Sequence, residues 1–190
     1  MSVKKFVSPF LAAMLCAGTT VANVETKVMI GERGNKIAYV VSVPDDYETS
    51  KKVYPFLIHL HGHGGQGSDL KGMGGPLGSY WRENCELVAI FPQCLKGLTW
   101  WHPEMLDAMM AVVQREGKKL RVDPDRVYIT GQSMGGYGSY NMAMRFPDVF
   151  AAVAPISGAS GGSGSLAASA GIARRGAGSL DFRSVIVSRM

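Results

Sequence analysis

The stretch VYITGQSMGGYGSYNMAMRF, residues 127–146, decides the fold class. Its first residues are β-branched or aromatic and predict a strand, while its last residues have helical spacing and predict a helix. A short glycine-rich turn with one serine joins them, and Gly131-Gln132-Ser133-Met134-Gly135 fits the pattern Gly-x-Ser-x-Gly. Between a strand and a helix, this pattern is typical of a nucleophilic serine on a sharp turn.

The spacing of the two glycines has a physical reason. The serine of such a turn has strained backbone, and only glycines two residues away tolerate the close approach of neighbouring chains. The first amides of the helix point at the space before the hydroxyl, where an oxyanion can bind. We therefore predict Ser133 as nucleophile and the amide of Met134 as oxyanion donor; the alternative is a structural serine in an ordinary turn. Ser160 also fits the pattern, but it lies in low-complexity sequence and is not predicted to react.

A second glycine-rich loop, HLHGHGGQG at residues 59–67, ends the apolar run YPFLIHL. Glycines allow backbone N–H groups to turn toward a bound ligand. We predict the amide of His63 as the second oxyanion donor, with the amides of Gly62 and Gly64 as alternatives.

The remaining chain predicts further strands and one further long helix. Strands are predicted at ETKVMI, KIAYVVSVP, YPFLIHLHG, ELVAIFPQ, RVYITG and FAAVAPISG, a helix at PEMLDAMMAVVQREGKKL, and a turn at VDPD. Apolar strands separated by helical or long connections indicate a mostly parallel sheet with helices on both faces. The predicted fold class is therefore α/β, a three-layer sandwich in one domain.

The first 22 residues have the form of an export signal. A start with two lysines, MSVKK, precedes the apolar run FVSPFLAAMLCAG, which is too short to span a bilayer, and small residues follow. The residues before Cys16 form no lipoprotein pattern, so no membrane anchor is expected after cleavage. We predict a secreted or periplasmic protein; the alternative is a buried N-terminal helix.

The formal net charge of +5 comes from the two ends of the chain. Residues 23–158 contain 14 basic and 14 acidic residues, so this predicted domain is neutral and we expect no nucleic-acid binding. Residues 159–190 begin with a run of Gly, Ala and Ser that offers little surface to bury, and we expect this tail to be disordered.

Export into an oxidising compartment makes a disulfide between Cys85 and Cys94 worth testing. The strand-like run ELVAIFPQ separates them and advances about 3.3 Å per residue, whereas a disulfide needs Cα atoms within about 7 Å. We therefore predict two separate thiols.

Several of these segments resemble the α/β-hydrolase superfamily. The strand ending in HLHGHGG, the stretch VDPDRVYITGQSMGGYGSY and the stretch FPDVFAAVAPISG are most similar to secreted esterases of the feruloyl-esterase and polyhydroxyalkanoate-depolymerase type and to predicted secreted peptidases, over roughly residues 35–158. The resemblance implies hydrolysis of a small-molecule or polymer ester, or less readily an amide, through an acyl-enzyme on Ser133 and without a cofactor.

The same resemblance implies an acid and then a histidine after the serine. All four histidines precede Ser133, and the only acid after residue 158 is Asp181. Three interpretations stay open: a truncated or frame-shifted copy of a longer esterase, an intact enzyme that recruits His102 as its base, or a fold relic that binds without turnover.

Other residues are candidates for binding a substrate or a metal. Gln132, Trp100 and Trp101 lie at the edge of the sheet where ligands bind in such folds, although the tryptophans could equally cover the core. His59, His61 and His63 alternate, so on an extended strand they would share one face and could bind zinc. The glycines around them are already explained by the oxyanion loop, and we predict no metal site.

Overall fold

A computed structural model describes residues 23–30, 36–70, 73, 80–81 and 84–158. The predicted export signal and the predicted disordered tail lie outside these residues. The elements described are β1 (Asn23–Ile30), β2 (Lys36–Val43), β3 (Tyr54–Leu60), a 3₁₀ turn (His63–Gly65), β4 (Val88–Pro92), α1 (Pro103–Lys119), β5 (Val122–Gln132), α2 (Met134–Arg145) and β6 (Ala152–Ile156).

The six strands form one sheet in the order β1-β2-β4-β3-β5-β6. β2 pairs antiparallel with β1 and β4, and the other three pairs are parallel. All residues of β3 and β4 are buried, because both strands lie inside the sheet with material on both faces. The predicted mostly parallel sheet is confirmed, and the carboxyl ends of β3, β5 and β6 meet at one edge.

Both long helices pack on the same face of the sheet. α1 begins with Pro103 at its first turn and turns the apolar stripe Met105, Met109 and Val112 into the larger core cluster. α2 adds Met134, Met142 and Ala143 to that cluster. These helices form one outer layer.

Residues between β3 and β4 cover the opposite face. The smaller cluster on that face consists of Val40, Leu57, Leu87, Ala89, Phe91 and Tyr128. Leu70, Met73, Trp81 and Cys85 pack against it, and Tyr80, Trp81 and Asn84 are helical. The third layer of the predicted sandwich therefore comes from this segment.

The predicted turn VDPD lies inside β5 as an irregularity. The pairing register moves from Tyr54 with Val122 to Phe56 with Val127, so the residues between bulge out of the ladder. The Asp123 carboxylate accepts the Asp125 N–H at 2.9 Å, the local bond by which Asp favours turns. The turn chemistry was correctly predicted, but it interrupts the strand without ending it.

Cys85 and Cys94 are free thiols, as predicted. Cys85 packs against the smaller cluster and Cys94 lies in the larger one, so the sheet separates them. Burial raises the pKa of the Cys94 thiol to about 12. Among the described residues, no helix has the length and apolar character needed to cross a bilayer.

Candidate active site

Ser133 occupies a strained turn between β5 and α2. Its backbone has φ 53° and ψ −117°, a combination that L residues rarely adopt, and its side chain is exposed. The Ser133 N–H donates to the Ile156 carbonyl at 2.8 Å, and its own carbonyl accepts the Tyr137 N–H at 3.0 Å. The turn is therefore held by β6 on one side and by the first turn of α2 on the other.

The glycines beside this serine are required by crowding. A Cβ on Gly135 would lie 2.0 Å from the Leu60 carbonyl oxygen, and one on Gly131 would lie 2.5 Å from the same atom. A Cβ on Gly136 would come within 2.6 Å of the Ile156 oxygen. No side chain fits at these distances, so β3, β5 and α2 meet through backbone alone.

The loop after β3 borders the serine. A Cβ on Gly62 would lie 3.5 Å from the Gln132 oxygen and 3.9 Å from the Ser133 Cβ. The N–H groups of Gly65 and Gln66 bond back to the carbonyls of Gly62 and His63, which closes the 3₁₀ turn. The N–H groups of His63 and Gly64 lie at the start of the turn, where no carbonyl of the turn can accept them. The structure thus brings the predicted oxyanion loop to Ser133.

Side chains that follow β4 support this loop. Gln93 is almost fully buried, donates through Nε2 to the Gly65 carbonyl at 3.0 Å and accepts the Leu70 N–H through Oε1 at 2.7 Å. Gln93 was not among the residues predicted from the sequence. A glutamine at the end of an otherwise apolar strand could have indicated it, because a buried amide needs hydrogen-bond partners.

The two neighbouring tryptophans have different positions. Trp100 is 1% exposed, its Nε1 donates to the His61 carbonyl at 2.8 Å, and its Cβ would lie 2.3 Å from a Cβ on Gly138. Of the two alternatives that the sequence left open for Trp100, a pocket wall or a cover of the core, this burial favours the core. Trp101 is 43% exposed and contacts the ring of Tyr137 at 5.6 Å between centroids.

Tyr137 was missed in the sequence. It is 37% exposed and lies one helical turn after Ser133. The sequence predicts only that Tyr137 lies in a helix. Its contact with Trp101 could not be predicted, because it depends on tertiary packing. Gln132 is also exposed, next to the serine, and pairs through its backbone with Ile156.

The three alternating histidines do not converge. His59 packs against the Phe91 ring on the side of the smaller cluster, whereas His61 packs edge-on against Trp100 on the side of the larger cluster. His63 is exposed in the 3₁₀ turn. The alternative of a shared face does not apply, because β3 ends at Leu60 and strand alternation ends with it. Within the described residues, no group of three His, Cys, Asp or Glu side chains is placed to hold a metal ion.

No histidine is hydrogen-bonded to the serine in the described part of the chain. The Ser133 hydroxyl makes no hydrogen bond to any of these residues, and His102, just before α1, has a buried Nδ1 without a hydrogen-bond partner. His102 is therefore not paired with Ser133 in this arrangement, and its role as a base stays a prediction.

Comparisons with known proteins agree with this geometry. A family model described as "Putative esterase" matches residues 101–171. Poly(3-hydroxyalkanoate) depolymerase C of Paucimonas lemoignei is 54% identical over 37 residues, which is 20% of this chain and 9% of that protein.

Solved structures show the same likeness. A thermostable esterase superposes with a TM-score of 0.68 at 27% identity, over 76% of this chain and 43% of that one. A ferulic acid esterase superposes with a TM-score of 0.51 at 25% identity, over 70% of this chain and 58% of that one. The chain thus spans less than two thirds of each of these relatives.

The sheet order, the strained serine and these likenesses define an α/β-hydrolase fold. Within that fold the chain is similar to esterases over part of their length. The resemblance predicted from the sequence is confirmed.

Proposed function

We propose that this protein is a serine hydrolase of carboxylic esters that acts through an acyl-enzyme on Ser133. One observation carries the proposal: Ser133 is exposed on a strained turn between the first amides of α2 and the amides of the loop after β3. Strain of this kind persists where surrounding structure imposes it, and it is concentrated at functional sites.

The proposed reaction begins when Ser133 Oγ attacks the ester carbonyl carbon and its proton passes to a base. The carbonyl electron pair moves to oxygen, and the amides of Met134 and His63 donate hydrogen bonds to that oxyanion. The C–O bond to the alcohol then breaks, the alcohol leaves with a proton, and the acyl group stays on Oγ. Water next attacks the acyl carbon and releases the acid. Exposed Gln132, Trp101 and the glycines at 62 and 64 would border the substrate.

We further propose that this chain alone is a weak esterase, because no histidine among the described residues is hydrogen-bonded to the Ser133 hydroxyl. A serine hydrolase without its base keeps roughly 10³–10⁴ of rate enhancement over water from the oxyanion hole and binding, against a loss on the order of 10⁶. Small-molecule and polymer esters both remain substrates in this proposal, and no cofactor takes part.

Chemical rescue tests the proposal. Added imidazole supplies a base, so hydrolysis of p-nitrophenyl acetate should rise with imidazole concentration in the wild-type chain, after subtraction of the rate measured with Ser133→Ala. With the same imidazole present, a fluorophosphonate probe should label wild-type protein and Ser160→Ala but not Ser133→Ala.

Two results would contradict parts of the proposal. Equal hydrolysis by wild type and Ser133→Ala at every imidazole concentration, from folded proteins, would favour a non-catalytic binding protein. Hydrolysis at ordinary enzymatic rates without imidazole would show that a base is present; His102→Ala would then test the one predicted candidate.

We also propose export. The lysine start and apolar run of residues 1–22 support it. Expression of the full chain with a C-terminal tag should give extracellular or periplasmic protein that lacks this segment on N-terminal sequencing. Retention of Met1 in cytosolic protein would contradict export without affecting the proposed chemistry.

A further inference from the structure

His61 links the loop after β3 to the rest of the site. Its side chain is buried, and both ring nitrogens make hydrogen bonds: Nδ1 to the Gly62 carbonyl at 2.6 Å and Nε2 with the Cys94 N–H at 2.9 Å. Its own carbonyl accepts the Trp100 indole N–H.

These two bonds determine the tautomer of the ring. The Cys94 amide can only donate, so Nε2 must be the acceptor and carries no proton. The Gly62 carbonyl can only accept, so Nδ1 must carry the proton. The ring is therefore neutral and protonated at Nδ1.

Close packing confines the ring on two sides. It packs edge-on against Trp100 at 4.9 Å between centroids. On the other side, a Cβ on Gly65 would lie 2.5 Å from His61 Nδ1, so the loop folds over the ring only because residue 65 is glycine. The loop after β3, the His61 ring and Trp100 thus restrict one another's positions.

We propose that His61 is a positioning residue whose neutral Nδ1–H tautomer holds the Gly62 carbonyl and thereby aims the amides of His63 and Gly64 at Ser133. The Gly62 carbonyl is also the acceptor for the Gly65 N–H, so its direction sets the 3₁₀ turn. The catalytic consequence rests on the proposed esterase function, whereas the tautomer and the loop anchoring do not.

Protonation should disrupt this anchor. A proton on Nε2 would point at the Cys94 N–H, and two donors cannot bond. The neighbouring titratable groups are the Cys94 thiol and the imidazole of exposed His63; Gly62, Gly65 and Trp100 add no charge. Burial lowers the pKa of His61 from 6.5, while its bond to the Gly62 carbonyl opposes the shift.

The lowered pKa of His61 determines how its contribution to stability changes with pH. Because the folded-state pKa lies below the unfolded value, the unfolded chain binds the proton first as pH falls. The contribution to stability is therefore complete above about 6.5 and is lost as the pH falls through the folded pKa. Loop order should decrease over the same interval.

Nitrogen NMR of the ring in the full chain tests the tautomer directly. At pH 7.5 the His61 signals should show a protonated Nδ1 and an unprotonated Nε2. A ring protonated at Nε2, or a cationic ring at that pH, would overturn the proposal.

Three variants separate the two bonds from simple packing. His61→Asn offers an N–H near the Nδ1 position, His61→Gln offers an acceptor near the Nε2 position, and His61→Leu offers neither. Hydrogen exchange of the Cys94 amide should accelerate about 5- to 150-fold in the Asn and Leu variants, which leave a buried donor unpaired, and stay near wild type in the Gln variant. Lys96→Ala, an exposed change two residues from Cys94, is the matched control and should leave the exchange unchanged.

Fluorophosphonate labelling of Ser133 then tests the link to chemistry. The rate should fall roughly 10²-fold in His61→Leu and His61→Gln, the loss expected for one oxyanion donor, and recover in His61→Asn. Labelling that follows global stability equally in all three variants would mean a packing role and would overturn the positioning claim. If wild type is not labelled even with added imidazole as base, the proposed esterase function fails, while ring NMR and amide exchange still decide the loop anchor.

Discussion

The two ends of the sheet are built from different interactions. At the carboxyl end, Gly131 and Gly135 press against the Leu60 carbonyl, so backbone meets backbone. At the amino end, charged side chains make the contacts: Lys52 pairs with Glu86 and with Asp46, and Arg126 pairs with Asp123. The Tyr54 hydroxyl also donates to Asp46 at 2.8 Å.

This difference teaches where the structure can tolerate change. Backbone contacts at van der Waals limits have no freedom to adjust, and they position amides to within a few tenths of an ångström. Ion pairs in solvent are screened and can re-form with water, so their loss costs little. The reactive end is therefore the rigid one, and mutations should distinguish the two ends sharply.

The largest effect is expected for Gly135→Ala. Its Cβ would lie 2.0 Å from the Leu60 oxygen, so α2 or β3 must move, and we expect a loss of about 3 kcal/mol or more in the free energy of unfolding. The matched control is Gly117→Ala in α1, where a Cβ meets nothing within 4 Å; this change should raise stability by about 0.5–1 kcal/mol. Denaturant unfolding measures both. Similar values for the two variants would contradict the argument from crowding.

An intermediate effect is expected for Ser133→Gly. Glycine accepts φ 53° without the penalty that serine carries, so this variant should gain about 1 kcal/mol in the free energy of unfolding after the entropic cost of glycine. Ser133→Ala keeps a Cβ and should show no such gain. Both variants should lose fluorophosphonate labelling, so the comparison isolates the strain from the chemistry. A Gly variant no more stable than the Ala variant would show that the turn stores no strain.

The smallest effect is expected for Lys52→Ala at the amino end. The carboxylates of Glu86 and Asp46 raise the pKa of Lys52, but all three side chains are exposed. We expect no resolvable change in the midpoint of thermal unfolding at 0.15 M salt relative to Lys51→Ala, which removes the same charge at a neighbouring exposed position. A large loss confined to Lys52→Ala would mean that the ion pairs matter as much as the glycine contacts.

Local patterns predicted most of the fold. The strands and helices followed from hydrophobic period and from turn residues, which depend on neighbours in sequence. The reactive turn was also predictable, because Gly131 and Gly135 belong to a motif of five consecutive residues.

Contacts between distant segments were not predictable in this way. Gln93 and Tyr137 function through partners that only the folded sheet brings near. The different positions of His59, His61 and His63 could not be predicted, because alternation does not show that β3 ends at Leu60. The position of Trp100 stayed open between a pocket and the core, because its burial depends on Gly138, a residue far along the chain.

The bond from the Ser133 amide to the Ile156 carbonyl has a consequence for the order of folding. During synthesis the serine leaves the ribosome before β6, so its acceptor does not yet exist. The parallel partner must arrive before the turn can be locked, and such non-local pairing is slow to form. The strained conformation at Ser133 should therefore be among the last features of residues 23–158 to form. It should be absent from a nascent chain that is stalled before β6 has emerged from the ribosome.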